Sequence, residues 1–350
     1  MSYSKNNLAY IDHIFHKKTK SSHFLRNILK KNFNLQNFWS TKFKNEQIQN
    51  YSHILFFQVF PPVSTLISLR NSKIIWVPMY DSLSNFDPNI WKICSFFPNI
   101  KILSFSKKIN KLCAQNGLNY LYCRYFLKPQ INKMPKAKKI KILFWYRGNI
   151  KLYDWIKYIN LKEVECINYY TLIDPFYKKE NFTKDDIKKY KLNIIKGNYN
   201  SSKKKFLQLL KNSDVFVSPR TKEGIGMSLI EALSRSKYVL AYDNSTMSDY
   251  IINDEIGYLI KKKTNRYRKL NINKIKKFSK NRFQISQLFY KEWLIKKKYI
   301  ESIYNFEIKN IKSLYSINFL MLFLYNTIFE TKYKAKLAIR KLINIKYKKL

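Results

Sequence analysis

The chain has 350 residues, 46% of them hydrophobic and 17% aromatic, with 67 Lys or Arg against 22 Asp or Glu and a formal net charge of +45. That length suits two domains of ordinary size, and the apolar share excludes a wholly disordered chain. The charge has two readings, an anionic partner (nucleic acid, an acidic membrane surface or a phosphorylated substrate) or AT-rich coding, since Lys, Asn, Ile, Tyr and Phe abound while only 6 Gly are present. On either reading such a surface attracts anions.

A short strand is predicted at 9–12, then a polar loop from His16 to Ser22 and a helix starting near Phe24. Apolar, β-branched and aromatic runs follow at 54–60, 74–77, 100–105 and 121–126. The segment 128–139, KPQINKMPKAKK, holds two prolines and five lysines and reads as a linker. The pattern restarts at 140–146, 164–167, 192–195, 215–218, 238–242 and 258–260, with Lys-rich segments of helical period between. Strand–helix alternation with buried strands predicts parallel sheets covered by helices on both faces. The expected architecture is α/β: two doubly wound parallel-sheet domains, 1–135 and 136–270, facing a cleft. A basic helical segment, 271–350, is expected to pack back on the domains or on membrane. Residues 261–350 carry 25 Lys or Arg against 4 Asp or Glu.

Cys94, Cys113, Cys123 and Cys166 form no CxxC pair, which suits a reduced, intracellular compartment. The opening MSYSKNNLAYIDHIFHKKTKSS has no apolar leader region, so no signal peptide is expected. The most apolar stretch, 317–329, is interrupted by two Asn and a Thr and falls short of the ~20 residues of a spanning helix. A cytoplasmic protein is expected. Its last residues, 331–350, predict a basic amphipathic helix with Ala335, Ala338, Ile339, Leu342 and Ile345 on one face, suited either to the core or to an anionic membrane interface.

The informative stretch is 215–260, VFVSPRTKEGIGMSLIEALSRSKYVLAYDNSTMSDYIINDEIGYLI. It reads strand, tight loop, helix, strand, loop, helix. Gly224 and Gly226 stand just before the first helix and let a ligand approach the backbone. The N–H groups at that helix start make an anion site, at the corner where open α/β sheets bind ligands. A diphosphate fits it. Glu223 and Glu231 stand eight apart, one in the loop and one on the helix, as acceptor-only groups suited to hydroxyls.

Pro219, Arg220, Glu223, Gly224, Gly226, Glu231 and Ala232 match the pattern P-[SR]-x-x-E-G-x-G-x-x-x-x-E-A. In this the stretch resembles the donor-binding region of family 4 (group 1) retaining glycosyltransferases. Two departures stand out: Ser236 lies where the family usually has glycine, and Asp249 where it often has Glu. The resemblance implies the GT-B fold and transfer of a sugar, with retention, from a nucleotide sugar to a glycan or lipid-linked acceptor in cell-surface polysaccharide assembly. It implies Glu223 at the transferred sugar and Glu231 on the donor ribose. Arg220, Gly224, Ile225, Gly226, Met227, Thr246 and Met247 would line the donor, and Gly197 the base. Arg147 and Lys151, in the loop after strand 141–146, would meet the diphosphate charge. On the acceptor side stand His16, Thr19, Ser21, Tyr80 and Asp81.

No D-x-D triplet, Walker A sequence or G-x-G-x-x-G occurs, and His13 and His16 have only Asp12 beside them. No metal site and no cofactor are expected. Nucleotide-sugar donor, acceptor and an anionic membrane surface are the expected partners, nucleic acid is not, and a non-catalytic basic binding protein on the same scaffold is the alternative.

Overall fold

The computed structural model describes residues 6–14, 16–40, 45–85, 89–130, 139–148, 150–173, 177–197, 202–261, 269–308 and 331. Most of the helix expected at 331–350 and residues 131–138 of the expected linker therefore lie outside the described residues. The chain divides into two compact units. The first holds Met1–Ser104, Lys108–Cys123 and Lys297–Leu350, and the second holds Phe105–Lys107 and Arg124–Lys296.

In chain order the first unit contains β1 (Asn6–Asp12), α1 (His16–Thr19), α2 (His23–Leu29), β2 (Phe33–Trp39), β3 (His53–Phe57), α3 (Val63–Ser68), β4 (Lys73–Val77), α4 (Ile90–Ser95), β5 (Ile100–Ser104), α5 (Lys107–Gln115) and β6 (Tyr120–Tyr122). Its six strands run parallel in the order β2-β1-β3-β4-β5-β6. The second unit contains β7 (Ile140–Tyr146), α6 (Leu152–Ile156), β8 (Val164–Thr171), α7 (Lys184–Lys189), β9 (Leu192–Lys196), α8 (Ser202–Lys211), β10 (Val215–Val217), α9 (Met227–Ser234), β11 (Tyr238–Tyr242), α10 (Met247–Tyr250), β12 (Gly257–Ile260) and α11 (Ile272–Lys277). Its six strands are also parallel, ordered β12-β11-β10-β7-β8-β9. The long α12 (Ser279–Glu301) closes the described fold.

A parallel sheet is covered on both faces, so its central strands are continuous apolar runs. β4 reads KIIWV and β11 reads YVLAY, each with four buried residues. Ile54, Phe56, Trp76 and Ile102 build the core of the first unit, and Ile142, Phe144, Val217 and Leu240 that of the second. In each sheet the chain runs outward from a starting strand, β1 or β7, then returns to that strand's other side with β3 or β10. Each unit thus has a switch point where loops leave the carboxyl ends of two neighbouring strands in opposite directions, a natural crevice for ligands.

β2 was not expected from the sequence. It is an edge strand with one neighbour, and FNLQNFW keeps just one fully buried residue, so no apolar run marks it. β8 extends past the expected 167 to Thr171, because Asn168 is satisfied within the sheet by the Asn193 side-chain amide at 2.9 Å. β6 stops at Tyr122, short of the expected 126.

Candidate functional site

In the second unit the crevice lies between the carboxyl ends of β7 and β10. The loop after β10 runs from Ser218 to Gly226, and α9 begins at Met227. Gly226 sits at φ +75°, the left-handed region that an L side chain enters at a cost, and serves as N-cap. That turn brings the first N–H groups of α9 to the crevice, where a diphosphate would meet a partial positive charge.

A second loop, from the neighbouring β11, laces this one in place. The Asn244 side-chain amide donates to the Thr221 carbonyl at 2.7 Å. Thr246, fully buried, donates its hydroxyl to the carbonyls of Glu223 at 2.8 Å and Gly224 at 3.1 Å. Its backbone stands at φ +75°, an outlier for a β-branched residue. Strain of this sort costs of order 1–3 kcal/mol and collects at ligand clamps. Thr246, expected to touch donor, therefore spends its hydroxyl on the loop that would. Met247 is also fully buried, and Ile225 nearly so, which places their side chains in the core.

Glu223 lies in the clamped loop and is 9% exposed. Glu231, one turn into α9, pairs with Arg235, whose guanidinium also donates to the Glu231 carbonyl at 3.0 Å. That pair was not foreseen. It fixes the carboxylate, and since an ionised carboxylate has about four acceptor positions, room remains for a diol. Tyr125 lies near enough that burial, with the Glu231 charge, pushes its hydroxyl up to about 12.

Across the switch point, Arg147 follows β7 with its guanidinium 5.2 Å from the Trp145 ring centroid. Gly148 beside it adopts φ +103°, and a Cβ there would come within 2.1 Å of the Tyr177 Cβ. Lys151 is exposed, and its backbone N–H donates to Asp154 at 3.2 Å as α6 begins. Gly197 follows β9, donates to the Thr171 carbonyl at 2.7 Å, and has no space for a side chain against Tyr170. Asn198 and Tyr199 lie outside the described residues. Arg147, Lys151, Gly197, Arg220 and the loop before α9 all stand at carboxyl ends of one sheet.

The two departures from the family pattern also have physical readings. Ser236 takes φ +57°, so the glycine usual there matches a real backbone need. Its carbonyl accepts from the buried Arg282 of α12 at 2.8 Å. Asp249 is buried and accepts the Lys107 backbone N–H at 2.8 Å. Burial pushes its carboxyl above the usual range while that N–H opposes.

The first unit gathers polar groups at its own switch point, between β1 and β3. Asp12, fully buried at the end of β1, accepts from the Ser22 hydroxyl (2.5 Å), Arg26 (2.7 Å) and the His13 N–H (2.7 Å). The His16 ring nitrogen Nδ1 stands 2.6 Å from it, and the ring packs edge-on to Phe57. Ser22 stands at the N-cap of α2, but its side chain makes no cap bond and serves Asp12 instead. Thr19 and Ser21 hydrogen-bond each other at 2.8 Å on the exposed side. Tyr80 is buried under Lys108, and Asp81 contacts Ser82, which also accepts from the Gln58 amide at 2.8 Å. Asp12, Arg26 and Gln58 were missed as site residues, since nothing in AYIDHIFH announces a carboxylate with four donors around it. Among the described residues no cluster of three or more His, Cys, Asp or Glu could hold a metal ion.

Residues 177–288 match the family described as "Glycosyl transferases group 1". Over that segment the chain is similar to the group 1 glycosyltransferases. It contains Gly197, the clamped loop, both glutamates and Thr246. A sequence search against curated proteins finds no match. Among solved structures, a glycosyltransferase from Rickettsia africae is similar at 11% identity and TM-score 0.59, over 90% of this chain and 100% of that one. Anabaena HepE in complex with UDP and glucose is similar at 10% identity and TM-score 0.56, over 86% and 100%. These likenesses show the fold, GT-B. The pneumococcal O-GlcNAc transferase GtfA is longer: the chain spans 59% of its length, at 12% identity and TM-score 0.48.

Proposed function

We propose that the chain is a glycosyltransferase that moves a sugar, with retention, from a nucleotide-sugar donor to a glycan or lipid-linked acceptor. The observation that carries the reading is the Glu223–Glu231 pair, set across a loop that Thr246 clamps at the mouth of α9. The N–H groups of Gly226 and Met227 hold the diphosphate, Glu231 the ribose diol, and Glu223 the sugar hydroxyls near the reacting carbon. The bond from the anomeric carbon to the diphosphate oxygen breaks, and one to the acceptor oxygen forms on the same face. Arg147 and Lys151 stabilise charge on the departing nucleoside diphosphate, which takes up the acceptor proton. Those cations and the helix start do the work that a divalent ion does in other sites, so neither metal nor cofactor is needed.

Asp12 and His16 orient the acceptor at the carboxyl end of β1. The positive surface suits work at the inner face of the cell membrane, in cell-surface polysaccharide assembly, and nucleic acid is not the partner. UDP-glucose, the ligand of a further Anabaena HepE structure, is the first donor to test. Glu223→Gln should leave the fold intact and lower donor hydrolysis or transfer by roughly 10²-fold or more. Wild-type protein that turns over no nucleotide sugar would make it a non-catalytic binding protein, and a product of inverted configuration would refute retention.

A further inference from the structure

The longest helix among the described residues, α12, carries apolar residues on its solvent side. On α12 the buried face holds Arg282, Ser286, Phe289, Trp293 and Ile300. The opposite face exposes Leu288 (62%), Leu294 (41%), Ile295 (59%) and Tyr299 (56%). Leu288, Ile295 and Tyr299 recur at spacings of seven and four, and the exposed Lys291 and Lys298 lie between them and Leu294 on the same side of the helix. An ordered apolar ridge in solvent marks an interaction surface more often than chance.

Charge chooses the partner. The two acidic residues of α12 are paired with cations, Glu292 with Arg124 at 3.8 Å and Glu301 with Lys31 at 2.7 Å. The charges set among the exposed apolar residues, Lys291 and Lys298, are both positive. A second copy docked here would set Lys291 and Lys298 against like charges, in a chain of net charge +45. An anionic lipid surface satisfies both halves of the pattern: acyl chains take Leu288, Leu294, Ile295 and Tyr299, and headgroup phosphates take the lysines.

We propose that the exposed ridge of α12 lies in the headgroup boundary of an anionic membrane. This rests on and deepens the membrane part of the function proposed above, and places the contact on one face of α12, within the basic helical segment 271–350. Co-sedimentation with vesicles of phosphatidylglycerol and phosphatidylcholine, against phosphatidylcholine alone, tests it. Wild-type protein should bind the anionic vesicles and release them as salt rises. The double variant Leu288→Gln/Ile295→Gln should lose about tenfold or more in partition coefficient, and Lys291→Gln/Lys298→Gln about tenfold. All four positions are on the exposed side, so melting temperature and turnover with a soluble acceptor should stay unchanged. Variants that bind like wild type would overturn the proposal, as would a wild-type dimer that Leu288→Gln/Ile295→Gln dissociates without any vesicle binding. Turnover with soluble substrates is read separately, so loss of the enzymatic reading would show there and not in the sedimentation.

Discussion

Thr246 and Ser236 both hold positive φ in one stretch of chain, and they differ in what the strain serves. At Ser236 a small residue takes the turn that ends α9, where the family usually has glycine. At Thr246 a β-branched residue is held there by two hydrogen bonds to the loop carrying Glu223. Thr246→Val keeps the shape and removes the hydroxyl, leaving two buried carbonyls without their donor. It should lower unfolding free energy by about 1–3 kcal/mol and weaken nucleotide-sugar binding, measured by denaturant melts and by calorimetric titration. Unchanged donor affinity in a destabilised variant would mean the clamp serves the fold alone.

At the scale of elements, the sheet edge opposite the site holds a buried cation. Lys237, at the start of β11, is 3% exposed and donates to the Lys211 carbonyl at 2.9 Å, closing α8 onto the sheet. Burial pushes its ammonium down to about 8, while nearby Asp214 opposes the shift. The folded value lies below the unfolded 10.5, so between those limits the unfolded chain binds the extra proton and stability from this site rises with pH. Below pH 8 the charged lysine costs up to about 3 kcal/mol. The buried Cys113 thiol, pushed up to about 12, acts in the opposite direction above pH 9, so the test is a difference. Unfolding free energy of wild type minus that of Lys237→Met should climb from pH 7 to 10. A difference flat across that range would show that the ammonium is not desolvated.

For the whole molecule, the positive charge has to be weighed against the chemistry proposed. In the proposed reaction a nucleoside diphosphate leaving group needs cationic help, a role assigned there to Arg147, Lys151 and the start of α9, which stand at one sheet's carboxyl edge. Turnover should therefore survive EDTA, followed by nucleoside diphosphate release. A strict requirement for magnesium or manganese would mean that this division of labour is wrong. Among the described residues no helix is long and apolar enough to cross a membrane. Contact with lipid through a surface is what the α12 variants address.

Local order was legible wherever a signal is local. Buried parallel strands are apolar runs, so β7 and β11 were readable to the residue and β4 to within one, and Glu223-Gly224-Ile225-Gly226 announced a loop opening a helix. β2 was not legible, because an edge strand with one neighbour carries no apolar run. The sequence by itself determined the fold class and the loop that opens α9, since both rest on periodicity and on residues adjacent in the chain. Tertiary structure alone decided that Thr246 clamps the Glu223 loop from 23 residues away, that Arg235 holds Glu231, and that Asp12 gathers Ser22, Arg26 and His16. It also decided which face of α12 meets solvent. Such partners are chosen by where strands end and helices pack, and a helix with two apolar faces does not say in its sequence which one the core will take.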